Sequence, residues 1–313
     1  GGVFMRRVLL LAAALLPLCG LFAEVLSESA GAVVFRQPDG KAVTLRKKPE
    51  RVVACYASFV QVWYAAGGKV VGIPLVRSRE ALPEAARKLP VVGGLTTPNP
   101  EKVLALKPDL VLLLDKFEKH RAVSEVLNRA GVETVLLECG NYTDFSGLLD
   151  LFCRLNGTTV AAHPEGKRIT DEVAAVCREV SALPPPSAAI VFAATHGFKL
   201  EGDESNTGTM LKMLGAGNIA SGIRGVRAGF SFERLLVENP DVILVVTMGD
   251  AEALKEKFRR EIMSQEAWKA LKAEKEKRVH FLPADLFLYQ PGTRYPEAFR
   301  YLAKLLYPGW GDK

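Results

Sequence analysis

Two tyrosines, one histidine and five cations stand in this 313-residue chain just after stretches that read as strands. Tyr56 follows "RVVAC", Arg77 and Arg79 follow "VVGIP", and Lys116 follows "DLVLLL". His196 and Lys199 follow "AAIVFAA", while Tyr289 and Arg294 follow "RVHFLP". In an open α/β sheet the loops after strands are where ligands bind. The chemistry of this set is holding rather than converting. A phenol can stack on a flat ring or bind ferric iron as phenolate, and each tyrosine can equally be half-buried packing. The His196 imidazole, beside Gly197, can be an axial metal ligand or a solvated surface group. Guanidinium and ammonium groups grip carboxylates, although any one of them alone would face solvent. His120 and His163 lie in or near helical patterns and are left out. Asn206 and Thr207, in the turn-like "DESNTG", are weaker candidates for lining a site.

Nothing in the sequence is spaced for covalent catalysis. G-x-S-x-G, H-E-x-x-H and a Walker loop are all absent. "GAGNIASG" has the glycines of a dinucleotide loop but follows a helical stretch, so it reads as a helix end relaxed by Gly215 and Gly217. Cys55, Cys139, Cys153 and Cys177 are irregularly spaced without a C-x-x-C, which argues against a metal cage. No structural disulfide and no resident cofactor are expected. The net charge of +6 is spread among acids, as in "DAEALKEKFRREIMSQEAWKALKAEKEKR", and reads as solvated helix faces rather than a nucleic-acid stripe.

The elements that must position these residues come in two sets. "EKVLALKPDLVLLL" (101–114) and "ERLLVENPDVILVV" (233–246) align without a gap, keeping Glu101/Glu233, Pro108/Pro240 and Asp109/Asp241. Each predicts a helix broken by Pro-Asp just before a buried strand. Around them, unbroken aliphatic strands alternate with amphipathic helices, the pattern of a parallel sheet covered on both faces. Residues 143–183 instead show helical periodicity without a strand, ended by "PPPS" at 184–187. The expected division is an N-terminal α/β lobe at 24–157, a linking helix at 158–184 and a C-terminal α/β lobe at 185–313.

Residues 1–23 read as a signal peptide, with 1–4 ahead of Met5 a possible start artefact. "MRRVLLLAAALLPLCGLFAE" has a basic start and an apolar run from Val8 to Leu18, too short to span a bilayer. Cleavage after Ala23 and lipidation at Cys19 both remain open. Either implies export, to the periplasm or to a lipid anchor at the outer face of the cytoplasmic membrane.

From Val34 to Pro308 the chain resembles the exported substrate-binding proteins of ABC importers, in the branch that carries iron–siderophore complexes, haem and cobalamin. The residues that carry the resemblance are "PERVVACYASFVQVWYAAGGKVVGIP", "VGGLTTPNPEKVLALKPDLVLL", "MLGAGNIAS", "FSFERLLVENPDVILVV", "AWKALKAEKEKRVHFLP" and "YLAKLLYP" in that order. The resemblance implies two Rossmann-like, doubly wound lobes joined by a long helix, with cargo in the cleft between them. It implies a monomer that binds an iron chelate or other metal complex and meets an ABC permease. Tyr56, His196 and Tyr289 become the candidate axial ligands of a haem, and the cations become the grip on an anionic chelate. Glu101 and Glu233 take the positions that dock on the permease. Supporting the positive end of a helix is the alternative role for both. The family's early Thr-Glu is replaced here by Val60-Gln61. Cobalamin is the alternative cargo, and a two-lobed metal-chelatase-like enzyme the alternative class.

Overall fold

A computed structural model describes residues 23–311. Cys19 and the expected signal peptide, apart from Ala23, lie outside the described residues. The chain opens with three antiparallel strands, β1 (Glu24–Glu28), β2 (Ala32–Arg36) and β3 (Ala42–Arg46). β2 and β3 form a hairpin through Asp39-Gly40, with Gly40 at φ 84°. β1 was not expected, because its "EVLSE" is almost wholly exposed and has no apolar alternation to read.

The first main sheet comprises β4 (Val52–Ala54), β5 (Val70–Gly72), β6 (Leu110–Leu114) and β7 (Glu133–Leu137), all parallel in the order β5-β4-β6-β7. Its crossovers carry α1 (Ala57–Ala65), α2 (Pro100–Ala105) and α3 (Glu118–Arg129). Every residue of β6 is buried. Leu110, Leu112 and Leu114 enter one apolar cluster and Val111 and Leu113 another, so both faces are covered as the sequence required. The small N-terminal sheet protects the open edge of β7. The Gln37 side chain accepts from the Leu136 N–H at 2.8 Å and Glu133 from the Arg46 N–H at 3.1 Å.

Two helices follow, α4 (Tyr142–Leu155) and the 17-residue α5 (Pro164–Val180), which spans about 25 Å at 1.5 Å per residue. The second sheet then begins with β8 (Ser187–Ala194) and β9 (Gly197–Glu201). Next come α6 (Asn206–Met213), β10 (Gly217–Asn218), β11 (Arg227–Gly229), α7 (Phe232–Glu238) and β12 (Val242–Met248). The chain ends with α8 (Ala251–Phe258), α9 (Lys272–Lys275), β13 (Val279–Phe281), α10 (Ala284–Phe287) and α11 (Tyr295–Leu306). The strand order is β11-β9-β8-β12-β13, with β10 beside the start of β8.

Three expectations need correction. The loop expected after "AAIVFAA" to hold His196 and Lys199 is only the turn Thr195-His196, and Lys199 lies on β9 opposite Phe192. Gly197 at φ 130° lets the chain fold back at once, so β9 and β11 are antiparallel additions to a parallel centre. Gly217 does not relax a helix end. Gly215, at φ 80°, does that alone, and Gly217 pairs with Ser187 in β10. The helix expected over "SQEAWKALKA" is a 3-10 turn at Glu266–Ala270 followed by α9. Leu271 between them is extended, with its side chain buried.

One core joins the two sheets. It contains Phe145 and Phe152 of α4, Ile169 and Val173 of α5, and Phe299 and Leu302 of α11, the last helix of the chain.

Candidate functional site

The repeated segments form matching units. Asn99 caps α2 by accepting from the Lys102 N–H, and Ser231 caps α7 by accepting from the Arg234 N–H. Glu101 and Glu233 are each the second residue of their helix, and both are exposed. Neither carboxylate has an ion-pair partner among the described residues. The acids of the two Pro-Asp pairs also share a task. Asp109 accepts from the Glu50 and Arg51 N–H groups at 2.7 and 2.9 Å, just ahead of β4. Asp241 accepts from the Ser187 N–H at 2.8 Å, at the start of β8. Burial opposes ionisation of Asp241, yet Lys272 and the Ser187 donors outweigh it and hold the carboxyl below its usual range.

Segments of the two halves of the chain meet at two places. Gly292, in the segment after β13, approaches α1 so closely that a Cβ would sit 2.4 Å from Gln61 Oε1. Its φ of 57° also favours glycine. Asn141, after β7, donates its side-chain N–H to the Glu204 carbonyl at 3.1 Å, ahead of α6. Beside these contacts Tyr295 packs edge to face or tilted on Tyr142, Phe145 and Phe299, with centroids 4.8–6.3 Å apart, and Tyr142 stacks on Phe145 at 5.9 Å. The Tyr295 hydroxyl lies 2.9 Å from Asn206 Oδ1 and also touches the Gln290 side chain. One phenol proton cannot serve two oxygens, so one of the two amides turns its NH2 group toward Tyr295. Asn206 and Thr207 are thus buried at the start of α6 rather than spread along an open cleft wall.

The eight candidate ligand residues divide by environment. Tyr56 is half-buried, edge-on to Phe59 at 5.5 Å, and its phenol is pushed up to about 12 by burial and then by the neighbouring Cys139. A ferric phenolate there would have to displace a firmly held proton, whereas stacking uses the ring as it stands. Arg77, Lys116 and Lys199 are exposed, as is His196 in its two-residue turn. Arg79 is also exposed, but its guanidinium donates to the Arg87 carbonyl. Arg294 forks between Asp285 and Glu297 with N···O distances of 2.8 Å, contacts that raise its pKa further, Glu297 first. Two of the five cations are therefore already engaged. Tyr289 is 58% exposed.

Sequence reasoning missed two further features of this end. Leu75 (60% exposed) and Leu95 (39%) crown the first sheet, and Met248 (50%) ends β12 on the second. The Leu75 N–H donates to the Gly93 carbonyl at 2.8 Å, which brings the two leucine segments side by side. Loop leucines give no periodic pattern to read, so only exposure reveals them. The second feature is acidic: Asp115, Glu138 and Asp144 gather where β6 and β7 end. Burial raises the Glu138 carboxyl, and Asp144 and Asp115 repel its charge further. Burial also raises Asp144, against hydrogen bonds from the Gly140 and Asn141 N–H groups. A depression of about 400 Å³ at the ends of β12 and β13 is lined by Thr247, Lys255, Phe281, Leu282, Pro283 and Tyr301, among others. Among the described residues no group of three or more His, Cys, Asp or Glu side chains could hold a metal ion, and no helix is long and apolar enough to cross a membrane. Cys55, Cys139, Cys153 and Cys177 are all free.

Comparison with known proteins adds to this geometry. Residues 52–286 match the family described as periplasmic binding protein. An uncharacterised ABC transporter substrate-binding lipoprotein of Bacillus subtilis strain 168, YvrC, is 25% identical, over 96% of this chain and 95% of that protein. The high-affinity heme uptake system protein IsdE of Staphylococcus aureus strain MRSA252 is 25% identical over 68% of this chain and 72% of its own length. Among solved structures, an ABC transporter substrate-binding protein from Listeria monocytogenes EGD-e superposes with a TM-score of 0.71 at 22% identity, covering 83% of this chain and 99% of that one. The architecture is the two-lobed fold of such proteins.

Proposed function

The chain belongs to the periplasmic binding protein family, and on that premise we propose that it captures an iron complex outside the cytoplasm for an ABC importer. The cargo is haem or a ferric siderophore, held between the lobes and handed to a membrane permease. A stiff link over 158–184, containing α5, joins lobes at 24–157 and 185–313. The protein's own task is reversible binding, and the importer's ATPase does the work of transport.

The observation that carries this reading is that exposed apolar side chains stand beyond the strands of both sheets. Leu75 and Leu95 on one side, with Met248 and Tyr289 on the other, suit a flat apolar body. Arg77 and Lys116 stand beside the first pair, where they can meet carboxylates at its rim. His196 and Tyr56 supply an imidazole and a ring. The heme uptake relative supports the same class of cargo. Glu101 and Glu233, exposed at matching positions, dock on basic residues of the permease and fix orientation as two separated anions can.

A second reading, cobalamin, is favoured by the acids Asp115, Glu138 and Asp144 and by the engagement of Arg79 and Arg294. These lessen the positive charge offered to an anionic cargo, and a corrin bears amides instead. Equilibrium titration with haemin and with cobalamin separates the two. Saturable binding of haemin that weakens in Arg77→Ala and Lys116→Ala supports the iron reading, and tight cobalamin binding indifferent to both changes replaces it.

A further inference from the structure

The wall of the first lobe is tied together by a side chain outside the candidate set. His120, in the first turn of α3, is fully buried. Its Nδ1 accepts from the Leu114 N–H at 3.0 Å, at the last residue of β6, and its Nε2 donates to the Leu95 carbonyl at 2.9 Å. The Phe117 ring packs on it with centroids 5.5 Å apart. Only the neutral Nε2–H tautomer can make both contacts, because a proton on Nδ1 would face the Leu114 N–H. The Leu95 segment is otherwise a short loop in which Gly94 and Thr97 exchange backbone hydrogen bonds of 3.1 and 3.2 Å. One ring therefore joins two pieces of the rim, the Leu95 loop and the strand end that leads into Asp115 and Lys116.

We propose that His120 is a positioning residue for cargo binding, fixing the Leu95 loop to the end of β6 so that the first lobe's wall is set before cargo arrives. The inference rests on the cargo-binding reading for its functional half and on the two hydrogen bonds for its structural half. Burial lowers the imidazole pKa from its ordinary 6.5, against the Leu95 carbonyl. The charged groups on the elements around it are Asp115 and Lys116 after β6, Glu118, Lys119 and Arg121 at the start of α3, and Glu101 and Lys102 on α2. Residues 91–98 carry none. The ring hydrogen-bonds to the Leu114 N–H and the Leu95 carbonyl and not to a carboxylate, so acid protonates it without a counter-charge in contact, and the Leu114 contact is lost.

Amide hydrogen exchange at Leu114, Gly94 and Thr97 in the full chain tests this, with haemin affinity measured on the same samples. His120→Asn retains an acceptor near Leu114 but no donor toward Leu95; His120→Gln offers the donor without the acceptor. His120→Asn should lower protection of Gly94 and Thr97 by about tenfold, and His120→Gln that of Leu114, each the loss of about one net hydrogen bond. The wild type should show the same loosening at about pH 5 and not at about pH 8, after correction for intrinsic exchange, with both variants losing that pH dependence. Haemin affinity should fall in parallel. Unchanged loop protection in His120→Asn, or unchanged Leu114 protection in His120→Gln, overturns the proposal, as does a loosened loop with unchanged haemin affinity. A wild type that binds no haemin overturns the positioning of this cargo and the haem half of the iron reading. The exchange data show separately whether the ring holds the loop.

Discussion

Asp241 accepts from the Ser187 N–H at 2.8 Å just as Asp109 accepts from the Arg51 N–H at 2.9 Å. In each lobe the acid that opens a buried strand pins the start of the strand beside it, β6 to β4 and β12 to β8. This explains why the Pro-Asp pair occurs twice. It leaves the two glutamates unexplained, since Asn99 and Ser231 already cap their helices.

Removing one pin should be costly. Asp241→Ala leaves the Ser187 N–H without its partner, a loss of about 1–3 kcal/mol. Because the folded carboxyl lies below its unfolded value of 3.8, its stabilisation is present above about that pH and is lost as pH falls through the folded pKa. Urea midpoints as a function of pH should show this acid limb in the wild type and a smaller one in Asp241→Asn. Identical acid limbs would remove the pin from the account.

The glutamates should behave oppositely. Glu101→Ala combined with Glu233→Ala should abolish uptake in cells while melting temperature and cargo affinity stay as they were, since exposed unpaired side chains contribute within about 0.5 kcal/mol. Normal uptake by the double variant would sink the docking role.

Tyr295 tests the contact between the lobes. Tyr295→Phe keeps the ring against Tyr142 and Phe145 but leaves the buried Asn206 amide without its hydroxyl partner, at about 1–3 kcal/mol. Tyr295→Ala, which also empties the space of a buried ring, should cost about 3–5 kcal/mol. Chemical denaturation measures both. A Phe variant as stable as the wild type would show that the hydroxyl holds nothing.

Much of this molecule was readable as sequence because its central strands are buried on both sides. The unbroken "DLVLLL" and "DVILVV" announce that burial, and the glycines and prolines around them mark the turns. The edges were not readable. β1 has no buried face, and β9 and β11 depend on a turn that Gly197 permits but does not require. The candidate site was read by residue type, which cannot tell a free guanidinium at Arg77 from one spent on Arg87 or on Glu297 and Asp285. His120 escaped for the same reason. Its role comes from Leu95, a residue 25 positions earlier that only the fold brings near.

Tyr56 separates stacking from ligation. With its phenol pushed up to about 12, Tyr56→Phe should bind cargo within about tenfold of the wild type, because the ring remains and no phenolate is lost. Loss of a visible phenolate-to-iron band on that substitution, with a far larger drop in affinity, would make Tyr56 a ligand instead.

The most direct measurement is the melting temperature of the protein with ferric hydroxamate, ferric catecholate, haemin and cobalamin added separately. A ligand at ~100 times its dissociation constant adds about 2.7 kcal/mol to the folded state, a shift that is easily seen. The account predicts a rise with haemin or one ferric siderophore and none with the others. No rise with any of the four, or a rise with cobalamin alone, would contradict it.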